Sequence, residues 1–200
     1  VTAYKAFEPS HVPPTSDRVA FVGQGDWQGD WRLRGDELIQ DKVGKGMLLF
    51  GDSRWADYDV SVEMFTIAGM PNTPGGSLAF RATSMDSFYL FTIGNFGGTM
   101  MDLEKGQNGK GYRFPGQQHR APLMLEYWYS MRVEVRGAVI RCFADGIEIF
   151  KYTDDSLPQG MVGFQTFNSR VKWRNLTVKA PDGTLLWEGF PDVSTLGTHN

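Results

Sequence analysis

Cysteine is nearly missing from this 200-residue chain. The one copy, Cys142, cannot close an intrachain disulfide, so a small disulfide-stapled fold is excluded. It lies in the apolar run AVIRCFA, where the expected role is a small buried hydrophobe rather than a reactive thiol. Histidine is also scarce. His11, His119 and His199 are too scattered to read as a metal site and are expected at the surface. No apolar run approaches the ~20 residues that cross a bilayer as a helix, so no membrane insertion is expected. Charge of one sign is lacking too: 20 basic and 23 acidic residues leave a net charge of −3, with no basic run. Neither nucleic acid nor an anionic membrane is therefore an expected partner. Helical periodicity of useful length is missing, and 24 glycines argue against a helical protein.

What is present is strand character. With 41% hydrophobic and 14% aromatic residues the chain can bury one sizeable core. Short runs rich in Val, Ile, Phe and Tyr recur between Gly, Asp, Asn and Pro, among them 31–34, 37–41, 46–50, 58–68, 77–83, 88–93, 99–103, 123–126, 161–167, 171–179 and 185–188. Asp145-Gly146 joins VIRCFA to IEIFKY, and Arg136-Gly137 joins MRVEVR to AVIRCF, which predicts a three-strand antiparallel meander over 131–152. The expected class is all-β, a two-sheet antiparallel β-sandwich. Residues 1–18, with three prolines, read as a lead-in with an edge strand near Tyr4 to Phe7; 19–191 form the domain and 192–200 a tail. A chain beginning at Val1 without methionine is expected to be a processed protein or a domain cut from a longer chain.

Alternation divides each run between two faces. Over 58–65, Tyr58, Val60, Val62 and Met64 form the core side, and Asp59, Ser61, Glu63 and Phe65 the other. Over 77–81, Leu78 and Phe80 point inward, and Ser77, Ala79 and Arg81 outward. Glu63 and Arg81 are then expected on one open face, with Tyr89, Phe91 and Gln165 from neighbouring strands. A charged pair beside aromatic rings suits a sugar: carboxylate and guanidinium take its hydroxyls, and a ring takes its C–H face. The plain alternative is a surface ion pair without a ligand. The glycine-rich segment 94–118, with Asn95, Phe96, Tyr112 and Arg113, reads as a loop that would carry further contacts. The turns GDSRWADYD and YTDDS offer oxygen ligands for calcium, although aspartate favours turns without any metal. Trp31, Trp173 and Trp187 are expected to pack inside, and Trp55 and Trp128 are candidates for exposure.

The blocks WRLRGDELIQ, LLFGDSRWADYDVSVEM, GGSLAFRAT, SMRVEVRGAVIRCFADGIEIFKYTDDSLPQGMVGFQT and VKWRNLTVKAPDGTLLWEG, in that order from about Trp27 to Pro191, resemble the bacterial 3-keto-disaccharide hydrolase family. The resemblance implies a concanavalin A-like, laminin G-like jelly roll. It further implies that Glu63 and Arg81 match a family carboxylate and arginine, and that the protein works in the cell envelope or outside the cell. The chain departs from enzyme-like members at GGSLAFR, which lacks an Asn-Ser-Gly order, and at FYLFTIGN, where acidic and amide groups are expected.

Two functions follow as expectations. The first is a non-catalytic carbohydrate-binding domain of a larger bacterial chain, using Glu63, Arg81, Tyr89, Phe91, Asn95 and Gln165. The second is a glycoside hydrolase or lyase with Glu63 as acid or base, which needs a second carboxylate; Asp59, Asp102, Glu104 and Glu126 are the candidates. Binding is favoured, because the enzyme-like acidic motif is missing.

Overall fold

The computed structural model describes residues 20–69 and 75–194. The expected edge strand at 4–7, His11 and His199 lie outside the described residues. Thirteen strands run through the described residues: β1 (Ala20–Val22), β2 (Trp31–Arg34), β3 (Glu37–Phe50), β4 (Tyr58–Gly69), β5 (Gly76–Ser84), β6 (Ser87–Gly94), β7 (Met100–Gln107), β8 (Lys110–Arg120), β9 (Trp128–Arg136), β10 (Val139–Ala144), β11 (Ile147–Thr153), β12 (Met161–Lys179) and β13 (Leu185–Glu188). All their pairings are antiparallel.

Two of these strands are long enough to serve both layers of a sandwich. The first half of β12 pairs with β5 and the second half with β4, while β3 follows it along the other side. The front sheet is thus β1, the end of β3, the start of β12, then β5, β6, β7 and β8. The back sheet is β2, the start of β3, the end of β12, then β4, β9, β10 and β11. Register shifts near Thr166 and Ser169 mark where β12 leaves one sheet for the other. The expected meander over 131–152 is β9–β10–β11, closed by Asp145 (φ 49) and Gly146 (φ 80).

The core lies between the sheets. Phe50, Phe80, Phe91, Phe164 and Trp173 are fully buried there, and Phe164 stacks on Trp173 at 4.7 Å between ring centroids. Trp31 and Trp187 are buried as expected, Trp55 packs half-buried against Trp187, and Trp128 lies half-buried on the outer face of the back sheet under Arg174. Cys142 is fully buried, and burial pushes its thiol well above the ordinary range. Two expectations are corrected. Most of 94–118 is strand, β7 and β8, and 123–126 is not strand. Val193, beyond the expected end of the domain at 191, is buried against the core.

Candidate functional site

The residues expected to share one open face do not share it. Tyr89 and Phe91 are fully buried, because they lie directly opposite Phe80 and Leu78, and cross-strand partners point to the same side of a sheet. Arg81 is fully buried as well. It sits at φ 46, where the β5–β6 register slips, so two successive residues, Phe80 and Arg81, leave the outer face. Its Nε and Nη2 donate to the Ala56 carbonyl at 3.1 and 2.9 Å, Nη2 lies 3.4 Å from the Asp57 carboxylate, and its amide donates to the Tyr58 hydroxyl at 2.8 Å. Arg81 therefore ties β5 to the turn before β4. Glu63 points outward from the back sheet, where it accepts from the Arg174 guanidinium and, at 3.2 Å, from Asn175.

Gln165 and Asn95 remain, and both line a groove on the outer face of the front sheet. Two rows of side chains cross this face. The first runs Met47, Gln165, Ser77, Thr92, Asp102 and Gln118; the second runs Leu49, Gly163, Ala79, Leu90, Glu104 and Arg113. Around the first row lies a polar trough of about 370 Å³, bordered by Phe96 and Phe167. Beside it lies a larger trough of about 630 Å³, bordered by Trp27, Met85, Phe88 and Tyr112. Gln165, Glu104 and Arg113 belong to both.

The polar groups are held in place. Ser77 and Thr92 hydroxyls bond each other at 2.7 Å. Glu104 Oε1 accepts from Arg113 Nε at 3.0 Å, and the Arg113 guanidinium stands 4.5 Å from the centre of the Phe96 ring. That ring is presented by a left-handed turn, Phe96 at φ 48 and Gly97 and Gly98 at φ 73 and 77. Asn95 fixes the turn: its Oδ1 accepts the Phe96 amide at 3.0 Å and its Nδ2 donates to Asp102 Oδ2 at 2.7 Å. Asp102 is fully buried and its Oδ1 has no partner. Burial raises the pKa of both Asp102 and Glu104; for Glu104 the nearby Asp102 charge adds to it, and Arg113 opposes the rise in both. On the far side of the groove Trp27 and Phe167 lie 6.0 Å apart, with the Lys45 ammonium 5.5 and 5.3 Å from their ring centres.

Phe167, Thr92 and Leu90 are the groove residues that alternation should have found; Trp27 ends the short 3-10 turn Gly25–Trp27, where strand alternation gives no signal. Once Leu78 and Phe80 are assigned inward, their hairpin partners must follow, leaving Phe88, Leu90 and Thr92 outside. Among the other candidates, Asp59 pairs with Arg136 at 2.8 Å, His119 is exposed on β8, and Glu126 lies in a turn at φ 57. The expected calcium turns have internal uses: Asp52 accepts from Arg54, and Asp154 from Tyr89, Ser156 and Lys105. Among the described residues no group of three or more His, Cys, Asp or Glu side chains forms a metal-binding set.

Known proteins share this architecture. The carbohydrate-binding module CBM66 of Bacillus subtilis superposes with a TM-score of 0.68 at 16% identity, over 76% of this chain and 92% of the module. A protein of galectin-like fold from Bacillus subtilis gives 0.60 at 13% identity, over 87% and 93%. At these identities the likeness establishes the fold alone, an antiparallel jelly-roll sandwich. In sequence, an extracellular exo-alpha-L-arabinofuranosidase of Streptomyces chartreusis is 25% identical over 130 residues, 64% of this chain. That match spans only 15% of the curated relative's length. The model of the 3-keto-alpha-glucoside-1,2-lyase-like domain matches residues 19–179, and the chain belongs to that family.

Proposed function

We propose that this protein is a carbohydrate-binding domain, one module of a larger secreted or cell-envelope protein, and that residues 20–194 form the folded module. The observation that carries the reading is the groove across the front sheet. It sets exposed aromatic rings, Phe96, Tyr112 and Phe167, around fixed polar groups, Gln165, Thr92 and the Glu104–Arg113 pair. Rings that take the C–H face of a pyranose and paired donors and acceptors that take its hydroxyls are what a sugar requires. Family membership, the named relative and the module-sized match support a carbohydrate partner and a multidomain setting.

A catalytic reading has one observation in its favour, the raised pKa of Glu104, which lines the groove, and of the buried Asp102 two residues before it on β7. Their geometry favours binding. They alternate on a single strand, side by side and ~7 Å apart along it, whereas glycosidase carboxyls face each other across the scissile bond. Glu63, the sequence candidate for catalysis, projects from the opposite sheet.

The test is retention on a glycan array and in polysaccharide affinity gels, with product analysis of the same substrates. Retention without products, lost in Arg113→Ala and weakened in Phe96→Ala, supports binding. Sugar released by the wild type and not by Glu104→Gln would make the protein an enzyme.

A further inference from the structure

The larger trough has an apolar floor under a rim that also carries polar groups, among them Gln24, Asp86, Lys110 and Arg113. Met47 and Leu90 form its floor, and Trp27, Met85 and Phe88 rise around them, with Phe88 lying over Gly106, where a Cβ would come 2.7 Å from the ring. These side chains belong to an apolar cluster on the outer face of the front sheet, separate from the core between the sheets. The outer face of an antiparallel sandwich is ordinarily solvated. A hydroxyl seated on the Met47 and Leu90 floor, away from that rim, would lose its water without gaining a partner, which is costly. Methionine-rich apolar pockets instead suit flat or flexible apolar groups of varied shape.

The two troughs meet at Gln165, Glu104 and Arg113, so one ligand can occupy both. We propose, building on the carbohydrate-binding reading, that the ligand is a glycoside with an apolar aglycone. Its sugar lies in the polar trough against Thr92, Gln165 and Arg113, and its aryl or alkyl group lies in the trough over Met47 and Leu90. The volume of about 630 Å³ is within the range of pockets that hold such groups. The shared Glu104–Arg113 pair stands where the glycosidic oxygen would cross from one trough to the other.

The experiment is calorimetric titration with methyl, phenyl and octyl glucosides and arabinofuranosides, the octyl compounds below micelle-forming concentration. Phenyl and octyl glycosides should bind at least ~10-fold more tightly than methyl glycosides. Met85→Ser should remove most of that gain and leave methyl glycoside binding unchanged, while Arg113→Ala should weaken every ligand. Met85 is half-buried, so this variant remains informative if the more drastic Leu90→Asp does not fold. Equal affinity for methyl and phenyl glycosides would overturn the aglycone site and leave the sugar reading standing. Absence of binding by every glycoside would overturn the sugar reading, and this inference with it. Phenol or octanol binding as tightly as the glycosides would reduce the trough to a general apolar pocket. A dimer in sedimentation that Met85→Ser dissociates would assign it to a second copy of the chain.

Discussion

Arg81 and Glu63 are the two charges that the sequence pairs and the fold separates. Arg81 is wholly buried, held by the Ala56 carbonyl and Asp57, while Glu63 is a partly exposed ion-pair partner of Arg174. Truncating this fully buried guanidinium empties its site between β5 and the turn before β4 and removes its hydrogen bonds to the Ala56 carbonyl and Asp57. Arg81→Ala should therefore lose ~3 kcal/mol of unfolding free energy. Glu63→Ala should lose no more than ~1 kcal/mol, as exposed pairs do. Urea denaturation of the two variants measures both, and equal small losses would show that Arg81 is not a structural tie. Asp154 gives a pH signature. Burial acts to raise its pKa, but hydrogen bonds from Ser156, Tyr89 and Lys105 outweigh it and hold the carboxyl at about 2. A depressed folded pKa stabilises above the unfolded value of ~3.9, and the stabilisation disappears as pH falls from there towards 2. Asp154→Asn should accordingly be less stable than the wild type at pH 7, with the difference closing between pH 4 and 2 in urea midpoints. A constant difference would place the effect in packing rather than in charge.

At the scale of elements, legibility follows how local the determinant is. The β9–β10–β11 meander and β13 were readable because alternation and Asp-Gly or Arg-Gly turns are short-range signals. β8 was not, since KGYRFPGQQHR contains proline and glycine and lacks alternation; pairing with β7 makes it a strand. β3 and β12 each read as two strands because Gly44 and Gly46 interrupt one and Asn168 the other, yet long-range pairing carries each through the break. The order of the two rows across the groove depends on that pairing. Gly163 is a tight point of it, as a Cβ there would overlap the Leu48 carbonyl oxygen. Gly163→Ala should force β12 away from β3 and cost at least ~2 kcal/mol, lowering the thermal midpoint. Gly183→Ala, in a turn with open space around it, should cost less despite its φ of 87. Calorimetry on the pair checks the ranking, and a neutral Gly163→Ala would show that the two strands are not so closely set.

The whole molecule inherits its cooperativity from the same two strands. β3 and β12 contribute backbone ladders to both sheets, so neither sheet can be removed without breaking the other. Their side chains also span the core: Trp173 from the back half of β12 stacks on Phe164 from its front half, and Trp31 stacks on Trp173 at 5.7 Å. A sandwich of two separable sheets could unfold in stages, whereas one threaded by shared strands should unfold in a single step. Tryptophan fluorescence, which reports the core around Trp31, Trp173 and Trp187, and far-ultraviolet circular dichroism, which reports all the strands, should give coincident urea transitions. Saturating glycoside should move both by the same amount, because the groove is built from β3, β12 and β5 through β8 and exists only in the folded state. A fluorescence transition preceding loss of strand signal would mean that the sheets separate before they melt. A ligand shift confined to one probe would place binding on a part of the molecule that folds by itself.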